Sequence, residues 1–151
     1  MGAAGVMVPH VRTRSEAEAA VRLAKYAQGR GFSNSPRAGH YGRVGLADHV
    51  KTADDTMTVV AMIEDPVAIA NLADIAAVDG IDALFMGRAD LTVSLGETDT
   101  RAPAVVAEVA KVLAAAPTLG KTIGALAPTA ELAELSAAGV RMFLVGTDQA
   151  L

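Results

Sequence analysis

Five short apolar runs, each closed within two residues by Pro, Gly or Glu, constrain this chain more than any other feature. They are Val6–Val8, Thr56–Ile63, Ala83–Met86, Thr122–Leu126 and Met142–Val145. None alternates strictly between apolar and polar residues, so each predicts a strand covered on both faces, the pattern of a parallel sheet. Helical signals fill the intervals. Ser15-Glu16-Ala17-Glu18 reads as a capping box opening a helix to about Gln28, which Gly29 stops. Asp65-Pro66 reads as N-cap and first residue of a helix that buries Val67, Ile69, Leu72, Ile75 and Ala76 and ends at Gly80. A loop through Gly96 leads to a helix from about Pro103 to Ala115, and Thr129 caps another that runs to about Ala138. Residues 29–50 carry five Gly, two of the three His, and Arg30, Arg37 and Arg43. No regular element is predicted there, and a loop of that length inside a compact domain is often functional.

The resulting order, β-α-loop-β-α-β-α-β-α-β, is an α/β fold with a parallel sheet. No Gly-rich phosphate fingerprint follows the first strand, which disfavours a dinucleotide fold. The other parallel architecture is the (β/α)₈ barrel, and five strands are too few to close one. Composition narrows the function classes. A net charge of −4 without a Lys/Arg block argues against nucleic-acid binding. No apolar run is long enough to span a membrane, and no basic n-region opens the chain, so a cytoplasmic protein is expected. The absence of Cys excludes a disulfide scaffold, a thiolate metal site and a Cys nucleophile.

Sites in parallel α/β folds gather at the carboxyl ends of the strands. The residues at those positions are Pro9 and His10, then Glu64, then Gly87-Arg88-Ala89-Asp90, then Ala127-Pro128, then Gly146-Thr147-Asp148. Glu64 and Asp90 end consecutive strands, so their carboxylates can share one mouth. Two readings stay open from the residues alone. Like charges held close are costly unless a cation sits between them, and a hard divalent ion with oxygen ligands suits such a pair. Alternatively, each carboxylate merely favours a helix N-terminus. No Lys ends a strand, which disfavours a Schiff-base mechanism.

Several stretches carry a resemblance to a known family: VMVPHVRTRSEAEAAV (6–21), RGFSNSPRAGHYG (30–42), VVAMIED (59–65), IDALFMGRADLTVSLG (81–96) and MFLVGTDQAL (142–151). In this order they resemble the HpcH/HpaI aldolase/citrate lyase family, and within it the class II pyruvate-dependent aldolases. The resemblance implies a (β/α)₈ TIM barrel of the phosphoenolpyruvate/pyruvate type, of which residues 1–151 form a single partial barrel domain, roughly strands four to eight. It implies Glu64 and Asp90 as the protein ligands of Mg²⁺, Mn²⁺ or Co²⁺, and the backbone at Ala89 and Asp90 as the seat of the substrate carboxylate. It places Arg30 and Arg37 near the mouth, toward the distal end of an anionic substrate. The implied activity is cleavage of 4-hydroxy-2-oxo acids to pyruvate and an aldehyde, with a citrate lyase-like acyl-CoA lyase or a non-catalytic fragment or subunit as alternatives. The expected partner is a small 2-oxo acid, pyruvate or an oxalate-like molecule, and a homo-oligomer is expected because an open sheet leaves apolar edges.

The resemblance also marks departures. The family's acid/base His segment and its keto-acid-binding Arg segment have no match here, so the catalytic residues are unassigned and little turnover is expected from these residues alone. Met62 stands where many members have Gln, and Arg88 where many have Pro.

Overall fold

The computed structural model describes residues 3–146. Its frame is a five-stranded, wholly parallel sheet in sequential order: β1 (Gly5–Val8), β2 (Thr58–Ile63), β3 (Ala83–Met86), β4 (Thr122–Leu126) and β5 (Val140–Leu144). Sequential parallel pairing is the winding of a barrel wall rather than of a doubly wound sheet, which reverses direction. Register keeps the strand ends level: Val8 opposes Ala61, Ile63 opposes Met86, and Met86 opposes Ala125. A register shift at Ile123/Gly124 offsets β5 by one residue.

The two faces of the sheet differ. Alternate strand residues, among them Val59, Ala61, Ile63, Leu84, Met86, Ile123, Ala125 and Val140, form one large core with the helices. The intervening residues Val60, Met62, Ala83, Phe85 and Met142 form a second, smaller cluster of strand residues alone. That second face corresponds to the interior of a barrel. Met7, Leu126 and Leu144 on it remain exposed. Among the described residues no helix is long and apolar enough to cross a membrane.

Among the described residues seven α-helices connect the strands: α1 (Arg14–Ala24), α2 (Leu46–Thr56), α3 (Pro66–Ala70), α4 (Leu72–Ala76), α5 (Arg88–Ser94), α6 (Pro103–Leu119) and α7 (Leu132–Ala137). The predicted capping box is displaced. Thr13 is the N-cap, its hydroxyl accepts from the Glu16 N–H, and Glu16 accepts from the Thr13 N–H at 3.0 Å. The helix predicted over 66–80 breaks at Asn71, whose side-chain amide donates to the Arg12 carbonyl at 2.9 Å. Asp65 occupies the N-cap position of α3 without making a side-chain cap. Two helices fall in stretches read as loop. In α2 only His49 is buried, so no apolar stripe announces it. In α5, two turns buried through Leu91 and Thr92 are too short to show a period. Thr129 opens a 3₁₀ turn, not the helix itself. Thr147 and Asp148 lie outside the described residues.

Candidate active site at the carboxyl ends of the strands

β2 and β3 are hydrogen-bonded neighbours, so the residues that leave them emerge side by side. Glu64, the first residue after β2, is completely buried. Its Oε1 accepts the His10 backbone N–H at 2.7 Å. Its Oε2 is buried without a hydrogen-bond partner, an arrangement that costs free energy unless something else meets the oxygen. Gly87 explains how the carboxylate fits. A Cβ at position 87 would stand 2.4 Å from Glu64 Oε2 and 2.8 Å from Glu64 Cβ. Glycine is required here by space alone, because its φ of −91° suits any residue.

Gly87 precedes α5, and α5 turns Ala89 and Asp90 outward at its first turn, where both are exposed. Both line a cavity of about 450 Å³ whose wall includes Met7, Met62, Phe85 and Leu144 from the interior face. Arg88, half-buried on the same wall, pairs with Glu131 at 3.3 Å. Arg101 and Thr100, from the α5–α6 loop, complete the rim.

The segment after β1 is clamped to this end. His10 takes a left-handed backbone, φ 53°, uncommon for a residue with a Cβ. That turn aims its N–H at Glu64, and its Nδ1 lies 3.1 Å from Asp65 Oδ2. Arg12 grips the same carboxylate with both arms, Nε to Oδ2 at 3.0 Å and an Nη to Oδ1 at 3.1 Å. The Ser94 hydroxyl, at the last turn of α5, donates to Asp65 Oδ1 at 3.3 Å. Burial by itself pushes the Asp65 carboxyl up; the hydrogen bonds and charges of Arg12 and His10 outweigh it and hold the group below its ordinary value. Asp65 therefore ties the segment after β1, the end of β2 and α5 into one frame. The sequence marks it only as a helix cap and Gly87 only as the residue that ends β3, and it singles out neither Arg12 nor Ser94.

The 29–50 segment belongs to the other end of the sheet. Helix α1 carries the chain back to the amino ends of the strands before this segment begins, and α2 leads from it into β2. Arg30 lines a separate cavity of about 290 Å³ with Ala3, Ala4, Thr56 and Met57, residues that precede β1 and β2. Its guanidinium lies 4.5 Å over the Tyr26 ring and donates to the Ala24 carbonyl. Arg37 is exposed in a 3₁₀ turn, Arg37–Gly42, beside that cavity's Ala38 and His40. Neither Arg30 nor Arg37 lines the cavity that holds Asp90.

Comparison with known proteins agrees with this fold. The family model described as HpcH/HpaI aldolase/citrate lyase matches residues 1–151. The 4-hydroxy-2-oxovalerate aldolase of Rhodococcus jostii is 38% identical over 98% of this chain and 58% of its own length. The hydroxypyruvate/pyruvate aldolase of Delftia acidovorans is 35% identical over 100% and 57%. The crystal structure of an HpcH/HpaI aldolase/citrate lyase family protein from Burkholderia cenocepacia superposes with a TM-score of 0.91 at 34% identity, over 99% of this chain and 60% of that one. The chain thus spans just under three fifths of the length of the curated relatives it matches.

Proposed function

Because the chain belongs to the HpcH/HpaI aldolase/citrate lyase family, we propose that it forms the metal- and pyruvate-binding wall of a carbon–carbon lyase. The reaction is cleavage of a 4-hydroxy-2-oxo acid to pyruvate and an aldehyde. One observation carries this reading: a buried, unpartnered carboxylate oxygen on Glu64, held against Gly87, at a strand end beside the one that presents Asp90.

The residues present fit a divalent ion. Their donors are hard carboxylate oxygens, and the orphaned Oε2 is the kind of atom a cation satisfies. Among the described residues no three His, Cys, Asp or Glu side chains gather into a full ligand set. Glu64 and Asp90 would therefore hold Mg²⁺, Mn²⁺ or Co²⁺ and leave the other positions to water and substrate oxygens. When bound, the ion supplies Lewis-acid stabilisation of negative charge growing on the 2-oxo oxygen.

The chain's own groups do the rest of the positioning. The N–H groups of Ala89 and Asp90, in the first turn of α5, lack intrahelical acceptors and meet the substrate carboxylate. Met62, Phe85 and Met7 line the cavity with apolar surface that limits water around the developing charge. As the C3–C4 bond breaks, its electron pair moves onto the pyruvate half as an enolate, the 4-hydroxyl gives its proton to solvent water, C4 becomes the aldehyde carbon, and the enolate takes a proton from water at C3 to become pyruvate. The family segment that supplies the acid/base His has no match in this chain. Slow, Mn²⁺-dependent release of pyruvate from a 4-hydroxy-2-oxo acid is the expected result, read by coupled oxidation of NADH. Release that is the same without Mn²⁺, or unchanged by Asp90→Ala, contradicts the reading.

A further inference from the structure

Resting on that reading, we propose that Ser94 is a positioning residue for the divalent ion: it fixes helix α5, and with it Asp90, against the Glu64–Asp65 segment. The juxtaposition that carries the inference is the Ser94 hydroxyl, on the last turn of the helix that bears Asp90, 3.4 Å from the Glu64 carbonyl and 3.3 Å from Asp65 Oδ1. One hydroxyl thus joins the helix of one metal-binding carboxylate to the backbone of the other.

Helix α5 needs such a tie. It has two turns and buries only Leu91 and Thr92, so packing alone holds its rotation loosely. Two polar side chains steer it from either side. Arg88, in its first turn, reaches Glu131, beyond the end of β4, at 3.3 Å. Ser94, in its last turn, reaches the segment that leaves β2. Asp90 and Ser94 are four residues apart, one turn along the same face of the helix, so a rotation that moves one moves the other.

The anchor on the β2 side is firm. Arg12 holds Asp65 at 3.0 and 3.1 Å, and the Arg12 carbonyl in turn accepts from the Asn71 amide at 2.9 Å. Glu64 is fixed by its burial, by the His10 N–H and by the narrow space over Gly87. Ser94 therefore ties the moving carboxylate, Asp90, to a stationary one, and the span between them is set at this hydroxyl. Ion size makes that span measurable. Mg²⁺ demands near-octahedral oxygens at about 2.0–2.1 Å, whereas Ca²⁺ accepts oxygens at about 2.3–2.6 Å in flexible geometry. A span that is held favours the small ion, and a loosened α5 costs the small ion more than the large one.

The test is a competition on the whole chain. Mn²⁺ bound to the wild type, Ser94→Ala and Ser94→Thr is displaced by Mg²⁺ and, separately, by Ca²⁺, and its release is followed by water-proton relaxation. Loss of a charge-assisted hydrogen bond corresponds to roughly tenfold in affinity. Ser94→Ala is expected to bind Mg²⁺ about tenfold more weakly and Ca²⁺ within about twofold of the wild type. Ser94→Thr keeps the hydroxyl and restores most of the Mg²⁺ affinity. Ser94 is exposed, so both variants are expected to fold, which circular dichroism checks. A residue that only stabilised the fold would leave the preference between the two ions where it was. An unchanged preference in Ser94→Ala, equal weakening of both ions, or a loss that Ser94→Thr fails to restore overturns the role given to Ser94, while Mn²⁺ binding that still depends on Asp90 keeps the aldolase reading in place. A wild-type chain that binds no Mn²⁺ overturns both.

Discussion

Replacing Gly87 by Ala adds one methyl group at the point where the fold and the candidate site meet. The new Cβ would stand 2.4 Å from Glu64 Oε2, whereas ordinary contact begins near 3.4 Å, so the carboxylate must retreat by about 1 Å. Glu64 is completely buried and has nowhere free to go. Its retreat lengthens the 2.7 Å bond from the His10 N–H past useful range. Loss of that charge-assisted bond and the overpacking together cost about 2–4 kcal/mol. For a chain of this size that is a fall in Tm on the order of 10 °C. Mn²⁺ affinity should fall at least tenfold, because a misplacement of about 1.4 kcal/mol suffices. Gly96→Ala is the control. Its Cβ meets nothing within 4 Å, but its φ of +75° adds backbone strain of about 1 kcal/mol. Thermal unfolding and calorimetric Mn²⁺ titration read both effects. A Gly87→Ala protein no less stable than Gly96→Ala, with wild-type Mn²⁺ affinity, refutes the role given to the Glu64–Gly87 contact.

Two further outcomes follow from the same frame. Asp65→Asn should lower the urea midpoint at neutral pH, since the amide cannot accept from both arms of Arg12 and from His10. The Asp65 carboxyl is held below its ordinary value, so its stabilising effect is full above the unfolded pKa and is lost as pH falls through the lowered folded one; the variant should show a shallower acid limb, and parallel limbs would contradict this. Exposed Met7, Leu126 and Leu144 on the interior face, with β1 and β5 as sheet edges, predict association. Light scattering at micromolar concentration should show species heavier than one chain, and a stable monomer would contradict it.

The strands and their carboxyl ends were legible for one reason: short apolar runs buried on both faces end abruptly, β2 at Glu64 and β3 at Gly87. β3 and β4 match their predicted ranges to the residue, and Glu64 and Asp90 were placed on adjacent strand ends because β2 and β3 follow each other. The clamp of Arg12, His10 and Ser94 on Asp65 was not legible. Its members lie 29 to 55 residues from Asp65, and each alone looks like a surface polar residue. Asp65 does occupy the N-cap position that Asp-Pro signals, but that signal says nothing of where its side chain goes, and only the fold brings Arg12 to it. Arg30 and Arg37 are a different case, since they lie away from the cavity that holds Asp90. A segment between a helix and the next parallel strand must lie at the amino ends of the strands, and the β-α-β order already contained that fact. Helix α2 escaped because its single buried residue, His49, leaves no periodic stripe to read.

The claim on which the rest depends is that Glu64 and Asp90 act together on one divalent ion. Titration of Mn²⁺ into the wild-type chain, Asp90→Asn and Glu64→Gln, followed by calorimetry and by water-proton relaxation, tests it most directly. One ion per chain is predicted for the wild type, with affinity falling by at least about tenfold in each variant. Asp90 is exposed, so Asp90→Asn should keep the wild-type Tm and isolate metal loss from unfolding. Wild-type Mn²⁺ affinity in a folded Asp90→Asn chain would contradict the account.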